Sequence, residues 1–214
     1  MKISSYGHSC FKVKCKDLNI LIDPFDNSIG LKVPKTKADV VLVTHHHHDH
    51  NNISVAGKEA IVINGPGEYE IKGVFIYGRG AFHDDQEGAE RGAITMYLIE
   101  EEKIRLAHLG DLGQKKLTKE QLEFLDNVDI LLIPVGGQYT IDASGASDII
   151  NEIEPRIVIP MHYNVPRLKF NRKLDSVDSF IKEIGLSPEK MDELKVTEKT
   201  LPSSELKLVL LNNN

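Results

Sequence analysis

Residues 40–50 read VVLVTHHHHDH, an apolar run that ends in a cluster of five histidines and one aspartate. The apolar part predicts a buried β-strand, and functional sites are often built in the loop just beyond such a rigid element. In an extended segment His45 and His47 lie on the same face, while Asp49 and His50 can turn toward a neighbouring ion. The spacing is therefore compatible with two metal ions.

The side chains of this cluster limit which metals could bind. Neutral imidazoles and a carboxylate suit zinc, and they also suit iron, manganese or nickel. An expression tag is disfavoured because the cluster is internal, follows a predicted strand and contains Asp49. A merely solvated loop is disfavoured because the cluster follows directly on a core strand, and buried charge and imidazole are costly without partners.

Composition and charge describe an ordinary globular protein. The chain has 214 residues, of which 41% are hydrophobic and 27% are charged, so at roughly 150 residues per domain we expect a single domain over residues 1–214. Twenty-six Lys and Arg against 32 Asp and Glu give a net charge of −6, which disfavours general nucleic-acid binding. The sequence shows no signal-peptide pattern and no apolar run of membrane-spanning length, so we expect a cytoplasmic protein without a membrane partner.

The two cysteines do not suggest a disulfide. Cys10 and Cys15 lie in a stretch that alternates like a strand, and a separation of five residues predicts that they point to opposite faces. We therefore expect neither a disulfide nor a shared metal between them, as suits a reducing compartment.

Hydrophobic periodicity predicts strands throughout the chain and helices after Asp111. The predicted strands are 1–6, 10–14, 19–22, 40–43, 60–63, 68–71, 74–77, 93–99, 103–107, 128–135, 156–159 and 206–211. One predicted helix begins with a capping box of Thr118 and Gln121, a second covers 144–153, and a third covers 174–184 and stops at Gly185. This pattern indicates an α/β fold of packed sheets with helices outside. The predicted core includes Leu21, Val41, Val43, Leu131, Ile133, Val158 and Ile159.

The cluster has the pattern His-x-His-x-Asp-His, which resembles the signature of the metallo-β-lactamase superfamily. The resemblance extends over nearly the whole chain and keeps the order and spacing of four further segments: YGHSCF at 6–11, LIDP at 21–24, GD at 110–111 and IPMHY at 159–163. Within the superfamily the chain looks most like the small single-domain hydrolases of the ascorbate-6-phosphate lactonase-like branch. The resemblance implies a four-layer αββα sandwich.

The resemblance also implies a ligand set for two metal ions. One ion would be held by His45, His47 and a third histidine, and Asp111 would bridge to the other ion, whose own ligands would be Asp49, His50 and His162. Two histidines lie in the interval where the family supplies its third ligand. His83 is favoured by side-chain alternation and by the order of the family's motifs, and His108 is the alternative.

The resulting expectation is a metal-dependent hydrolase that acts on a small, anionic ester, lactone or phosphoester. The cofactors would be two divalent ions, zinc first, with manganese, iron or nickel as alternatives. A metal-bound hydroxide would be the nucleophile, with Asp49 orienting it or accepting its proton. His8, in a Gly-His-Ser turn, either donates a proton or contacts the substrate, or it only bonds the backbone of the turn. The alternatives are a phosphodiesterase or nuclease, and a metal-binding protein without catalysis.

Sequence differences from better-known members of the superfamily exclude some reactions from the expectation. No Thr-Pro-Gly follows His83, and Asp111 stands where some antibiotic-degrading members have a cysteine, so antibiotic hydrolysis is disfavoured. Flavodiiron proteins generally carry glutamate at the position of His47, which disfavours redox chemistry.

Several other residues have both a structural and a functional interpretation. Asp23 either supports a ligand histidine or forms an Asp-Pro turn. Tyr163 either packs or bonds a substrate oxygen, and the pair at 136–137 either forms a turn or lets the backbone approach a ligand. Arg79 and the lysines at 115–116 are interpreted as solvated surface charges.

Overall fold

Two β-sheets and three α-helices form the fold within residues 1–213, the part of the chain that the computed structural model describes. In chain order the strands are β1 (Lys2–Gly7), β2 (Cys10–Lys14), β3 (Asn19–Ile22), β4 (Val40–Leu42), β5 (Ile61–Ile63), β6 (Gly67–Ile71), β7 (Val74–Phe82), β8 (Ala93–Glu101), β9 (Ile104–His108), β10 (Ile130–Pro134), β11 (Ile157–Met161), β12 (Glu189–Met191), β13 (Leu194–Lys195) and β14 (Lys207–Leu211). The helices are α1 (Lys119–Phe124), α2 (Ala143–Ile153) and α3 (Val177–Ile184).

The strand directions bring several loops to one edge of the molecule. The first sheet has the order β13-β1-β2-β3-β4-β5, and the second has the order β12-β14-β11-β10-β9-β8-β7-β6. In the second sheet β9, β10 and β11 are parallel, and β7 has the same direction because β8 is antiparallel to both β7 and β9. The chain therefore leaves β7, β9 and β11 at the same edge of this sheet.

Apolar side chains pack in three layers around the two sheets. The layer between the sheets joins Ile3 and Phe11 of the first sheet to Tyr97 of the second. A second layer lies between the second sheet and the helices, and a third covers the outer face of the first sheet. All seven predicted core residues are at most 1% exposed and lie in these layers. The prediction of the core is confirmed.

The α/β class with two packed sheets is also confirmed, and the two outer layers differ in kind. Helices cover the second sheet, whereas the first sheet is covered by extended segments and two short 3₁₀ helices, Asn27–Ile29 and Ile53–Val55. The segment 24–38 contains Pro24, Pro34 and Gly30, which interrupt helical periodicity. Phe25 and Ile29 of this segment nevertheless bury their side chains against the sheet.

The local signals for helix ends are confirmed. Thr118 Oγ1 accepts a hydrogen bond from the backbone of Gln121 at 3.3 Å, and Gln121 Oε1 accepts one from the backbone of Thr118 at 2.9 Å. Helix α3 ends at Gly185 with φ of 69°, the left-handed conformation that glycine adopts without steric cost. Helix α3 starts at Val177, later than the predicted 174, and Leu174 is buried just before it.

Strand lengths were predicted less well than strand positions. Strands β7 and β8 pair continuously from Phe75 and Glu100 to Phe82 and Ala93, so β7 continues beyond the predicted residue 77. Glycines interrupt the alternation of side chains there, while backbone hydrogen bonding continues. The short strands β12 and β13 were not predicted, because their mostly polar residues give no periodic signal.

The cysteines point to opposite faces of the first sheet, as predicted. Cys10 belongs to the outer layer and Cys15 to the layer between the sheets, and both are free thiols. Within residues 1–213 no helix is long and apolar enough to cross a membrane.

Candidate metal centre

Four strand ends bring the predicted ligands together. The histidine cluster follows β4, His83 follows β7, Asp111 lies three residues beyond β9, and His162 follows β11. A backbone hydrogen bond of 2.8 Å from Thr95 of β8 to the carbonyl oxygen of Thr44 joins the two sheets at this edge. Residues far apart in the sequence therefore meet in one cluster.

The first ligand group consists of His45, His47 and His83. One ring nitrogen from each of these residues lies within 4.8 Å of the others, and the distance from His45 Nε2 to His47 Nδ1 is 2.9 Å. His45 and His83 are buried, whereas His47 is exposed.

The second ligand group consists of Asp49, His50 and His162. Their ligand atoms, together with a ring nitrogen of His8, also lie within 4.8 Å of one another. Asp49 is 7% exposed and the two histidines at most 1%. This group is therefore almost completely shielded from solvent.

Asp111 lies between the two groups. Its Oδ2 atom is 3.1 Å from His162 Nε2 and 3.2 Å from His50 Nε2, and it is 3.5 Å from His83 Nε2. One carboxylate oxygen therefore contacts histidines of both groups.

Several buried polar atoms in this cluster have no hydrogen-bond partner. His50 Nε2 approaches Asp111 Oδ2 without hydrogen-bond geometry, and Asp111 Oδ1 also makes no hydrogen bond. An unsatisfied buried polar atom costs about 1–3 kcal/mol. Imidazole nitrogens and carboxylate oxygens that converge in this way fit divalent metal ions.

Asp23 orients His50 from behind. Asp23 Oδ2 lies 2.9 Å from His50 Nδ1 and accepts a hydrogen bond from Thr44 Oγ1 at 2.7 Å, while Oδ1 accepts from the backbone of Thr44 at 2.8 Å. An ionised carboxylate only accepts, so His50 Nδ1 donates and Nε2 faces Asp111. Asp23 also has φ of 45°. The residue thus supports a histidine and forms the turn before Pro24 at the same time.

The Thr44 hydroxyl fixes His45 in the same manner. Thr44 Oγ1 lies 3.0 Å from His45 Nδ1. The single hydroxyl proton points to Asp23, so His45 Nδ1 must donate to the threonine oxygen. His45 Nε2 is then left with its lone pair directed toward His47, as a metal ligand requires.

His83, and not His108, lies beside His45 and His47. His108 is fully buried, its Nε2 is 3.0 Å from the carbonyl oxygen of Ser9, and its Nδ1 accepts a hydrogen bond from the backbone of Gly110 at 3.1 Å. Both ring nitrogens of His108 are therefore occupied by the backbone.

The remaining residues named from the sequence lie around this cluster. His8 has φ of 54°, and its Nε2 is 3.2 Å from Asp49 Oδ2. Tyr163 packs with the layer beneath the helices. Arg79 lies over the ring of Phe124, with 5.6 Å from its Cζ to the ring centroid. Lys115 pairs with Asp85 at 2.6 Å between Nζ and Oδ2.

Gly136 has a packing role that is evident only in three dimensions. A side chain at this position would collide with the carbonyl oxygen of His162. The glycine therefore lets the loop after β10 pass directly beside His162. The close approach at Gly136 is to the backbone of His162, and approach of the backbone to a bound ligand stays a prediction.

The pKa values show opposite charges balancing inside the cluster. Burial alone would raise the pKa of Asp111, but His162 and His50 hold it well below its ordinary value. Burial disfavours the protonation of His50, but the carboxylates around it, Asp111 first, raise its pKa. Burial lowers the pKa of His45 to about 3. Asp111 and His50 thus stabilise opposite charges in each other, and a divalent cation can supply the positive charge instead, while His45 offers a lone pair.

Residues 2–162 match the family model described as the beta-lactamase superfamily domain. The chain belongs to this superfamily. The matched range contains every residue of both ligand groups and Asp111, and the superfamily predicted from the histidine pattern is confirmed.

Relatives within the superfamily are named as hydrolases. A UPF0173 metal-dependent hydrolase of Thermoplasma acidophilum is 32% identical, with 77% of this chain and 84% of the relative covered. A UPF0173 metal-dependent hydrolase of Thermoplasma volcanium is 34% identical, with 77% and 84% covered. This beta-lactamase superfamily chain therefore lies among metal-dependent hydrolases.

Solved structures show the same fold. A Thermotoga maritima protein assigned as a Zn-dependent hydrolase of the metallo-beta-lactamase superfamily has a TM-score of 0.80 and 36% identity, with 98% of this chain and 97% of that chain covered. A metallo hydrolase from the archaeon Ignicoccus hospitalis has a TM-score of 0.65 and 25% identity, with 86% and 90% covered.

Proposed function

We propose that this superfamily member is a dinuclear metal-dependent hydrolase, with zinc as the first expectation, that cleaves a small anionic ester, lactone or phosphoester. The observation that carries this proposal is the position of Asp111, whose single oxygen contacts histidines of both ligand groups. A carboxylate between two sets of imidazoles suits a bridged pair of metal ions.

The residues that would hold each ion follow from the two groups. The first group, His45, His47 and His83, would hold one ion, and Asp111 would bridge to the ion held by the second group, Asp49, His50 and His162. Two bound divalent ions lower the pKa of a water molecule toward neutrality and polarise a carbonyl or phosphoryl oxygen. Hydrolysis then forms a bond from the water oxygen to the carbonyl carbon or phosphorus, breaks the bond to the leaving oxygen and transfers a proton to that oxygen.

Asp49 would orient the attacking water and accept its proton. Its carboxylate lines the cleft over the cluster. Burial alone would raise the pKa of Asp49, but His50 first among its neighbours lowers it, so the side chain is an ionised acceptor. Asp49 can therefore orient the water and accept its proton.

His8 would act through Asp49. Burial lowers the pKa of His8 to about 4, with His162 adding to the effect, so the ring is neutral near pH 7. Its Nε2–H can donate to Asp49 Oδ2 across 3.2 Å, which fixes the carboxylate for proton transfer. The His8 side chain is fully buried and contacts Asp49, so we assign it a positioning role.

The experiment that tests this proposal is a metal count on untagged protein purified without chelator. We expect two metal ions per chain and fewer in His47→Ala, which removes a proposed ligand. The matched control is His46→Ala, since His46 is the exposed neighbour in the same loop and should keep both ions. The metal-loaded protein should hydrolyse 4-nitrophenyl esters or bis(4-nitrophenyl) phosphate.

Each outcome of the count has a clear meaning. No bound metal after addition of zinc, manganese or iron would contradict the proposed centre, and a single ion would contradict the dinuclear assignment. Two ions without hydrolysis of any ester class would favour a metal-binding protein without catalysis.

A further inference from the structure

The cleft over the two ligand groups continues toward the loop that joins β7 to β8. Its inner part, with a volume of ≈ 380 Å³, is lined by residues of both ligand groups and also by Arg91 and Tyr139. An adjoining part of ≈ 210 Å³ shares His83, Arg91 and Tyr139 with it. Arg91 and Tyr139 therefore lie where the two parts of the cleft meet.

The guanidinium of Arg91 lies against the Tyr139 ring, and its carboxylate contact is with an exposed side chain. Its Cζ atom lies 5.6 Å from the centroid of the Tyr139 ring, within cation–π range. The Arg91 side chain is 28% exposed, and its carboxylate partner is Glu90 at 3.4 Å, with a side chain that is 62% exposed. Exposed ion pairs of this kind contribute little, so most of the five guanidinium donors remain available to another anion.

The backbone of the loop at Arg91 is fixed by one buried side chain. Asp84 Oδ2 accepts hydrogen bonds from the backbones of Glu90 at 3.0 Å and Arg91 at 2.7 Å. Asp84 Oδ1 accepts from the backbones of Gln86 and Gly88, each at 2.9 Å. The loop thus holds Arg91 at the cleft before any substrate binds, which lowers the entropy lost on binding.

Tyr139, in the loop after β10, is also fixed. Its hydroxyl oxygen accepts a hydrogen bond from the backbone of Arg172 at 3.1 Å, and its ring lies 5.8 Å from the ring of Phe170. Arg91 is therefore stacked on a side chain that is itself anchored, so its planar fork has a defined orientation.

We propose that Arg91, stacked on Tyr139, binds a carboxylate of the substrate at a distance from the scissile bond, so that the natural substrate is an ester or lactone that also carries a carboxylate. This inference rests on the proposed hydrolytic function and specifies its substrate class. A guanidinium matches a carboxylate through two parallel hydrogen bonds. The metal ligands cannot supply this selectivity, because they face the bond that is cleaved.

Two esters with the same leaving group test the proposal on the metal-loaded enzyme. Mono-4-nitrophenyl glutarate carries a free carboxylate, and 4-nitrophenyl butyrate does not. Because charge-assisted hydrogen bonds are worth roughly 1.5–3 kcal/mol, we expect Arg91→Ala to lower kcat/KM for the glutarate ester by about 10- to 100-fold. The same substitution should leave kcat/KM for the butyrate ester within about twofold of the wild-type value.

Two further variants separate the subsite from charge and folding effects. Arg91→Lys keeps the charge but loses the fork, and we expect it to fall between the wild type and Arg91→Ala for the glutarate ester. Arg156→Ala removes a guanidinium immediately before β11, at the opposite end of this strand from His162. This substitution should leave kcat/KM unchanged for both esters. Equal losses for both esters in Arg91→Ala, or no loss for either, would overturn the proposal.

Calorimetric binding of two carboxylates tests the subsite independently of catalysis. Glutarate should bind the metal-loaded protein at least about tenfold more tightly than butyrate, because only glutarate has a second carboxylate for Arg91 after one carboxylate has bound at the centre. Arg91→Ala should abolish this difference. If neither ester is hydrolysed, the proposed ester hydrolysis fails, and glutarate binding alone then supports or overturns the carboxylate subsite.

Discussion

The two ligand groups of the candidate centre are built to different degrees of rigidity. His50 and His162 of the second group are at most 1% exposed, and the buried carboxylate of Asp23 holds the ring of His50. The first group contains His47, which is exposed. The comparison teaches that the fold fixes the second group before metal binding, whereas one side chain of the first group remains free to adjust.

The largest effect should come from the residue that both groups share. Even partners that only support a metal ligand are worth roughly 10- to 100-fold, and Asp111 contacts both groups directly. We expect Asp111→Asn to lower turnover of a hydrolysed ester by more than about a hundredfold, with the far-ultraviolet circular dichroism unchanged. Asp148→Asn, an exposed change on α2, is the control. Unchanged turnover in metal-loaded Asp111→Asn would contradict a shared bridging role.

A smaller effect, largest at the second group, should follow from Asp23→Asn. The amide would offer an N–H donor to His50 Nδ1, which favours a proton on Nε2 and removes the lone pair that faces Asp111. We expect the affinity of the second group for its metal ion to fall by about 10- to 100-fold. The affinity of the first group should fall less, because it feels the change only through Thr44 Oγ1, which donates to the same Asp23 oxygen. Competition with a chromogenic chelator measures both affinities.

The control for this change is Asp17→Asn, which removes the same charge at an exposed position. Equal weakening of both ions in Asp23→Asn would show that the two groups are not supported independently. The claim that the fold fixes the second group more rigidly than the first would then be wrong.

Sequence patterns predicted the parts of this centre that lie at strand ends. An apolar run followed at once by polar residues identified residues 44–50, whereas Asp111 and His162 came from the resemblance of residues 110–111 and 159–163 to the metallo-β-lactamase superfamily. The histidine cluster is predictable because strand period and strand termination are local properties of the chain. The predicted core is buried for the same reason.

The parts that depend on distant contacts could not be predicted. Side-chain alternation and motif order favoured His83 over His108, but the contact that makes His108 unavailable, its bond to the carbonyl of Ser9, joins residues far apart in the chain. Asp23 contacts a histidine 27 residues away, and its sequence signal is identical to that of an Asp-Pro turn. Arg91 gave no signal, because its position depends on Asp84 folding a loop around its carboxylate.

The smallest effect tests the link between the two groups. Thr44 Oγ1 donates to Asp23 and accepts from His45, so one hydroxyl supports a ligand of each group. Thr44→Val is similar in shape and leaves His45 Nδ1 without its hydrogen-bond partner in a buried site. We expect the free energy of unfolding to fall by about 2 kcal/mol and the affinity of the first group for metal to fall by roughly tenfold.

Thr44→Ser keeps the hydroxyl and should restore both the stability and the metal affinity. Urea unfolding with and without zinc separates the two effects, because bound metal adds stability only through its affinity for the folded state. His50 retains its hydrogen bond to Asp23 in Thr44→Val, so the second group should lose less affinity than the first. A loss confined to the second group would place the role of Thr44 in supporting Asp23 alone, and the first group would then depend on its three histidines without help from the hydroxyl.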